Sequence, residues 1–428
     1  MTTGILVVVI LIVILAQIAV SMMIAIVRRR RQLHNPAPQQ ASSAPVKYSQ
    51  GDSESSVTQP LCELPAWDGF REFQVQRRVI EDLNQSICSF YLVPVDGKPL
   101  PSFKPGQFLT FRLPIKEPVK HEIKNIVRCY SLSDCSQPDY YRVSIKRVPA
   151  PASQPEVSPG LSSNYFHDHV QEGSRLMIKA PAGHFYLNEK ESLPVVLIAG
   201  GIGITPMLSM LNTLLQINDT REIRLYYGVR NGDEPIMKTH LQSLVRAHAN
   251  FHLHFCFSDP LDTDVLGIDY QHKGRIDIPL LRSTLQLKHY QFYVCGPKPM
   301  MESLVPGLED WGVDSQDIYY ESFGPATLIG HDKPKTDSHA VSSKLITVTF
   351  SKTGKRLQWN PEAGSILEFA EANEIEVESG CRAGSCGCCQ TKIEAGEVEY
   401  SQQPEADINP GYCLLCTSSP KSDLTLAA

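Results

Sequence analysis

Four cysteines near the C-terminal end have types and spacing suited to one-electron chemistry. Cys381, Cys386 and Cys389 form a C-x4-C-x2-C run, and Cys416 follows downstream. This is the spacing with which four thiolates hold the two irons of a plant-type [2Fe–2S] centre. Gly380, Gly384 and Gly387 let such a loop wrap tightly and aim backbone N–H groups at sulfur. The same residues have two blander readings. A structural zinc site usually shows paired C-x2-C knuckles, which are missing here. Disulfides would suit the even total of 12 cysteines, but a chain this long buries a large core without them. Cys388 duplicates Cys389 and Cys413 duplicates Cys416, so spacing alone leaves a choice at both places.

Two further groups of residues could deliver electrons to that centre. In Arg128-Cys129-Tyr130-Ser131, alternating strand positions would put Arg128 and Tyr130 on one face. A guanidinium can meet a phosphate there and a phenol ring can cover a flavin, with the Ser131 hydroxyl at the ring's polar edge. In Gly200-Gly201-Ile202-Gly203-Ile204-Thr205-Pro206, backbone N–H groups can approach a pyrophosphate. Thr205 is expected to cap the following helix and Pro206 to suit its first turn. Arg230 could hold a 2′-phosphate, whereas Asp233 or Glu234 could pair with a free ribose hydroxyl; the reading here leans to NADH, with NADPH possible.

The elements that must position these groups follow from pattern. Strand-like runs at 73–79, 89–93, 108–113, 140–145 and 176–178 are separated by turns such as Asp96-Gly97 and Pro105-Gly106, which predicts a small antiparallel barrel over 66–187. The apolar run 193–199 enters the glycine turn as a buried parallel strand and leads to an amphipathic helix from Met207 to about Gln216, opening an α/β domain over 188–325. A second such strand, 290–295, leads to Gly296-Pro297. From 344 to 428, an alternating strand, a short helix around 365–372 and the cysteine loop predict a ferredoxin β-grasp. The fold class expected is therefore multidomain α+β.

The chain resembles the ferredoxin–NADP reductase superfamily, most closely the reductase part of the flavohaemoglobins, over about 67–325. The matching pieces are Pro105-Gly-Gln-Phe108, Arg128-x-Tyr130-Ser131-Leu-Ser-Asp, Tyr140-Tyr-Arg-Val-Ser-Ile-Lys146, Gly160-Leu-Ser162-Ser163-Asn and Pro181-Ala-Gly183-His-Phe185. The resemblance implies FAD, with Arg128 at its pyrophosphate, Tyr130 flanking the ring and Ser131 near N5. Lys146 belongs to the same set, and Gly160, Ser162 and Ser163 would serve the phosphates. It also places Cys295, with Gly296 and Pro297, beside the nicotinamide, and gives Phe323 the part of the aromatic that shields the flavin, with acidic Glu321 near it. Gly411-Tyr-Cys413-Leu-Leu-Cys416-Thr-Ser-Ser-Pro420 resembles the ferredoxin closing motif, whose ligand stands four residues before Pro; that selects Cys416.

The rest of the chain bears on location and partner. Net charge is −6 and 20% of residues are charged, which argues against nucleic-acid binding. Residues 4–27 are an uncharged apolar run that as a helix would reach ~36 Å, against a bilayer core of ~30 Å. Arg28 to Arg31 follow at once. A single-pass anchor in the inner (cytoplasmic) membrane is expected, with the downstream domains in the cytoplasm. It stands where flavohaemoglobins carry their globin, so haem chemistry is not expected to carry over. Residues 28–65 and 326–343, rich in Pro, Ser and polar residues, read as tethers. NADH gives two electrons, a [2Fe–2S] centre takes one, and a flavin handles both. The order of parts resembles reductase components of multicomponent oxygenases and hydroxylases, and the expected partner is a separate oxygenase, hydroxylase or desaturase at the membrane. A membrane quinone or ferric reductase is the alternative, and a redox-sensing membrane protein the alternative of another class.

Overall fold

A computed structural model describes residues 66–116, 123–150, 159–323 and 346–428, with 383, 385, 402, 403 and 405 excepted. The expected anchor at 4–27, the tethers at 28–65 and 326–343, and Gly324 and Pro325 lie outside the described residues. Among the described residues, no helix is long and apolar enough to cross a membrane.

Alternation builds the first domain. In β1 (Arg71–Ile80), Phe73 and Val75 are buried while Gln74 and Gln76 face water, as period two requires. It joins β2 (Ile87–Pro94), β3 (Phe108–Lys116), β4 (Ile123–Ser131), β5 (Tyr141–Lys146) and β6 (Arg175–Ala182) in the order β4-β3-β6-β1-β2-β5. All five pairings are antiparallel. A bridge between Leu132 and Val143 joins the two edges, so the sheet closes into a barrel and leaves no free edge there. Helix α1 (Leu161–His169) sends Phe166 into the barrel. Its ring lies 5.2 Å from Phe90 and 5.3 Å from Phe111, edge to face in both cases. Such pairs add ~1 kcal/mol each to the area buried.

The second domain is a six-stranded parallel sheet: β7 (Val195–Gly200), β8 (Ile223–Val229), β9 (Phe251–Phe257), β10 (His272–Lys273), β11 (Gln291–Gly296) and β12 (Ile318–Ser322), ordered β10-β9-β8-β7-β11-β12. Every residue of β7 is buried, because helices cover both faces. Helices α2 (Ile204–Gln216) and α3 (Lys238–Ala247) pack on one face, and α4 (Ile278–Thr284) and α5 (Lys298–Asp310) on the other. Strand order reverses between β7 and β11, which opens the crevice where α/β sheets take nucleotides. Phe185 and Leu187, from the connection after the barrel, sit in the core of this sheet, with the Phe185 ring 6.1 Å from Tyr293.

The third domain has a mixed sheet, β14-β13-β19-β15-β17, made of β13 (Thr347–Phe350), β14 (Lys355–Gln358), β15 (Gln390–Ala395), β17 (Tyr412–Leu414) and β19 (Leu424–Leu426). A two-stranded ribbon of β16 (Val398–Tyr400) and β18 (Ser418–Pro420) stands beside it. Helix α6 (Ile366–Ala372) crosses the sheet and starts with a reciprocal capping box between Ser365 and Glu368, a feature worth ~1 kcal/mol. Val348, Phe350, Phe369 and Leu426 fill the core, and the cysteine loop runs between α6 and β15.

Candidate functional site

The cysteine loop folds around its own sulfurs. The Cys381 N–H donates to the Cys386 sulfur at 3.2 Å, and the Cys386 N–H donates back to the Cys381 sulfur at 3.2 Å. Cys389 and Cys416 form a second pair, joined through their sulfurs and by the Cys416 N–H. The Gly384 N–H faces the Cys416 sulfur. Among the described residues, no three His, Cys, Asp or Glu side chains converge on a single ion. Two pairs, each fringed by N–H donors, match a two-iron centre in which each metal takes two thiolates. Glycine is required at two places. A Cβ on Gly380 would lie 2.7 Å from the Cys386 sulfur and 3.2 Å from that of Cys388. Gly384 has φ +79°, left-handed backbone that side chains resist. Among the described residues, no cysteine is in a disulfide.

The duplicate cysteines go elsewhere. Cys413 lies in β17 opposite Thr391, fully buried in the domain core, and burial pushes its thiol up to about 12. Cys388 is turned to the barrel, its sulfur 3.7 Å from Lys179 Nζ.

The loop rests against β4, the strand that carries Arg128, Tyr130 and Ser131. Tyr130 is half-buried, edge-on to Phe111 at 5.7 Å and to Phe166 at 5.2 Å, and burial raises its phenol well above the usual range. Ser131 is buried at the strand's end. Arg128 donates to the Val127 carbonyl at 2.7 Å. Burial, and next the Arg382 guanidinium, depress its pKa, so an anion would find a poorly compensated cation there. At the start of α1, Gly160 is the N-cap and the Ser163 hydroxyl accepts from the Val148 N–H at 3.3 Å. Ser162 Oγ is buried without a hydrogen-bond partner. An orphaned hydroxyl beside the first-turn N–H groups fits the phosphates of FAD. Among the described residues no hydrogen bond joins Arg128 to this segment. Lys146 ends β5 near Glu234.

At the switch point, Gly200 closes β7, and Gly201 and Gly203 form a 3-10 turn that leads into α2. A Cβ on Gly203 would lie 2.2 Å from the Cys295 carbonyl oxygen, so the turn and the end of β11 touch backbone to backbone. The expectation for Thr205 needs correction. Gly203 is the N-cap of α2, without side-chain capping; Thr205 is the second residue of the helix and donates to the Ile202 carbonyl at 3.0 Å. Pro206 sits in the first turn, as expected. Gly296 ends β11, and Pro297 is the N-cap of α5.

Cys295 is buried in β11 opposite Glu321 of β12. Burial, then the Glu321 charge, hold its thiol far above the usual range, so it is a neutral wall rather than a nucleophile. Phe323 follows β12 and is 40% exposed, an unusual setting for a large ring. At the end of β8, Glu234 Oε1 accepts from Arg230 Nε at 2.6 Å and Oε2 from the Arg230 N–H at 3.1 Å. Burial opposes the charge on Glu234, but these donors outweigh it and its pKa falls below the usual range. The Arg230 side chain is itself 71% exposed.

Sequence reasoning missed what joins the domains. Cys129, the unspecified residue of R-x-Y-S, hydrogen-bonds to the Cys386 sulfur. Lys124 meets Glu376 at 2.7 Å. A cleft of about 470 Å³ lies along this seam, lined by Lys104, Gln107, Lys179, His184, Tyr186 and Cys386 among others. No local pattern marks such residues, since each answers a partner far along the chain.

A flavin shelf on a closed barrel, a nucleotide crevice and a paired-cysteine loop define a modular nicotinamide- and flavin-dependent oxidoreductase. Comparison with known proteins narrows this class. Residues 197–305 match the model for the oxidoreductase NAD-binding domain, and residues 348–421 that for the 2Fe-2S iron-sulfur cluster binding domain. A flavohemoprotein of Halalkalibacterium halodurans is 41% identical over 274 residues, 64% of each chain. The chain thus spans about 64% of the length of that curated relative. The FAD/NAD-binding domain of nitric oxide dioxygenase from Vibrio cholerae is 31% identical with TM-score 0.52, covering 60% of this chain and 100% of that one. Phthalate dioxygenase reductase, a modular structure for electron transfer from pyridine nucleotides to [2Fe–2S], is 26% identical with TM-score 0.51, covering 84% of this chain and 98% of that one. The chain belongs to the ferredoxin–NADP reductase superfamily, as an oxidoreductase that joins a flavohaemoglobin-like FAD- and NAD-binding module to a C-terminal [2Fe–2S] ferredoxin domain.

Proposed function

We propose that this chain is an NAD(P)H-dependent electron-transfer reductase that serves a separate oxygenase, hydroxylase or desaturase. The observation that carries the reading is the seating of the cysteine loop on the flavin barrel, with Lys179 of β6 3.7 Å from the Cys388 sulfur. Bound FAD would accept the two electrons of a hydride from reduced nicotinamide and release them one at a time to the cluster.

The protein's own residues do the positioning. Tyr130 flanks the ring site, with Phe111 and Phe166 fixing its plane, and Ser131 offers its hydroxyl at the end of β4. Arg128 and the first turn of α1 would receive the FAD phosphates, with Lys146 near. Gly200, Gly201 and Gly203, with Gly296 and Pro297, shape the crevice for the nicotinamide nucleotide. Cys295 and Glu321 would wall it, and Phe323, 40% exposed after β12, would give way as the nicotinamide enters. Cys381 and Cys386 would hold one iron, and Cys389 and Cys416 the other. NADH is the proposed reductant, because Glu234 is ionised and ready for a ribose hydroxyl while holding Arg230 in an ion pair. The apolar run 4–27 and the arginines after it support a single-pass tether on the cytoplasmic side of the inner membrane, where the acceptor would be found.

The test is acceptor choice by the detergent-solubilised full chain. With NADH, cytochrome c, a one-electron acceptor, should be reduced much faster than a soluble quinone. Quinone reduction as fast as that of cytochrome c, and unchanged when Cys416 is replaced by Ser, would contradict delivery through the cluster.

A further inference from the structure

We infer that Asp134 is a positioning residue for hydride transfer: anchored in the flavin barrel, its carboxylate takes the Asn212 amide of α2 and so holds the nucleotide crevice in register with the flavin shelf. Asp134 stands just beyond Ser131 and the Leu132–Val143 bridge that closes the barrel. Asn212 lies on α2, the helix into which the turn Gly201–Gly203 leads. Its Nδ2 donates to Asp134 Oδ1 at 2.8 Å, across 78 positions of the chain.

The barrel end of this bond is rigid. A carboxylate accepts only, and Asp134 receives donors at both oxygens. The Cys135 N–H meets Oδ1 at 3.0 Å, while the Tyr140 hydroxyl and Arg142 Nη1 meet Oδ2, each at 3.2 Å. The Arg142 side chain is 7% exposed and also donates from Nε to the Ser133 hydroxyl at 3.2 Å. Ser133 continues to Ser144 at 2.9 Å, and Ser144 to Ser89 at 2.7 Å, a run of buried hydroxyls reaching β5 and β2. An ion pair so shielded from water fixes geometry, since either partner left alone would be a buried unpaired charge.

The helix end supplies a direction that packing cannot. Met210 of α2 rests on the Pro105-Gly106 turn, where a Cβ on Gly106 would lie 2.8 Å from its Cε. Apolar contact of this kind is non-directional, whereas a hydrogen bond to a charged oxygen has a preferred distance and angle. Asn212 acts ~12 Å along the helix axis from Ile204, at the crevice end. Without the bond, a tilt of about 5° would carry the start of the helix by about 1 Å, and a misplacement of that size can cost about 100-fold in rate.

Single turnovers of the flavin-loaded full chain test this. Asn212→Ala should lower the limiting rate of flavin bleaching at saturating NADH about tenfold, with the half-saturating NADH concentration within about twofold of wild type. Asn212→Asp keeps the shape of the side chain but sets a second carboxylate against Asp134, so it should be at least as slow as Asn212→Ala. Hydrogen exchange of the 204–216 amides, measured without NADH, should be about threefold faster in both variants. An unchanged limiting rate in Asn212→Ala, a wild-type rate in Asn212→Asp, a loss confined to half-saturation, or unchanged exchange overturns the inference. If Asn212→Ala loses its flavin, Asn212→Asp decides alone; loss of flavin from both overturns it, because Asn212 would then hold the fold and not the register. The inference rests on the reading of the glycine turn as the nucleotide crevice, and a wild-type chain whose flavin NADH does not bleach would overturn that reading instead.

Discussion

At the level of single residues, Cys413 and Cys416 compete for one ligand position; both are buried, and their places in the fold separate them. Cys413 is a strand residue in the core, whereas Cys416 reaches Cys389 from a 3-10 turn. Cys416→Ser should therefore abolish the cluster's visible absorption, while Cys413→Ser and Cys388→Ser keep it; a reversed result for Cys413 and Cys416 would reassign the ligand. Glu234 makes a second residue-scale case. Replacement by Gln removes the charge that holds Arg230 and leaves the guanidinium open to a 2′-phosphate. The ratio of kcat/KM for NADH over NADPH should fall about tenfold, a change of ~1.4 kcal/mol in relative transition-state binding. An unchanged ratio would show that nucleotide choice lies elsewhere.

At the level of elements, the crossing of the β7 turn and β11 governs the nicotinamide crevice. Gly203→Ala would drive a methyl group into the Cys295 carbonyl at 2.2 Å, where backbone rather than a pliant side chain must give way. A loss of ~2–3 kcal/mol of stability is expected, with flavin retained but NADH-driven bleaching of its absorption slowed at least tenfold. Strand β9 predicts a pH dependence. His254 stacks on Tyr226 at 4.5 Å and meets His272 Nε2 through its Nδ1 at 3.1 Å. Burial first, then His272, Arg224 and His252, lower its pKa to about 4. The folded ring stays neutral over a range in which the unfolded ring, titrating near 6.5, takes a proton. Stability therefore falls as pH drops from about 6.5 towards 4, by ~2 kcal/mol between pH 6.5 and 5. His254→Phe, which keeps a ring on Tyr226, should flatten urea midpoints measured across that range, and an equally steep decline would reject the assignment.

At the level of the whole molecule, the described residues form three folded domains, and their legibility in sequence differed for physical reasons. The barrel strands showed because turn residues punctuate alternating runs, and β7 showed because both its faces are buried. Helix α6 was expected around 365–372, and the structure adds its capping box. Helix α1 was not foreseen: besides the exposed Leu161 and the buried Phe166, its sequence is polar or aromatic without a helical stripe. Thr205 looked like a cap because it stands just after the glycines, yet the helix starts one residue before it. The site residues were legible where chemistry fixes spacing, as in the cysteine loop and R-x-Y-S. Cys129 and Lys179 were not, because they act only on a domain some 200 positions away in the chain, Lys179 and Cys388 being separated by 209.

The most direct test of electron flow from NADH through the flavin to the cluster is one anaerobic experiment on the full chain. One equivalent of NADH is added, and flavin absorbance and the cluster's electron paramagnetic resonance signal are followed together. The account predicts rapid bleaching of the flavin and then a reduced-cluster signal in the wild type; in Cys416→Ser, bleaching remains and the signal is lost. A cluster that stays oxidised while the flavin is fully reduced, or a signal that rises before the flavin bleaches, would contradict it.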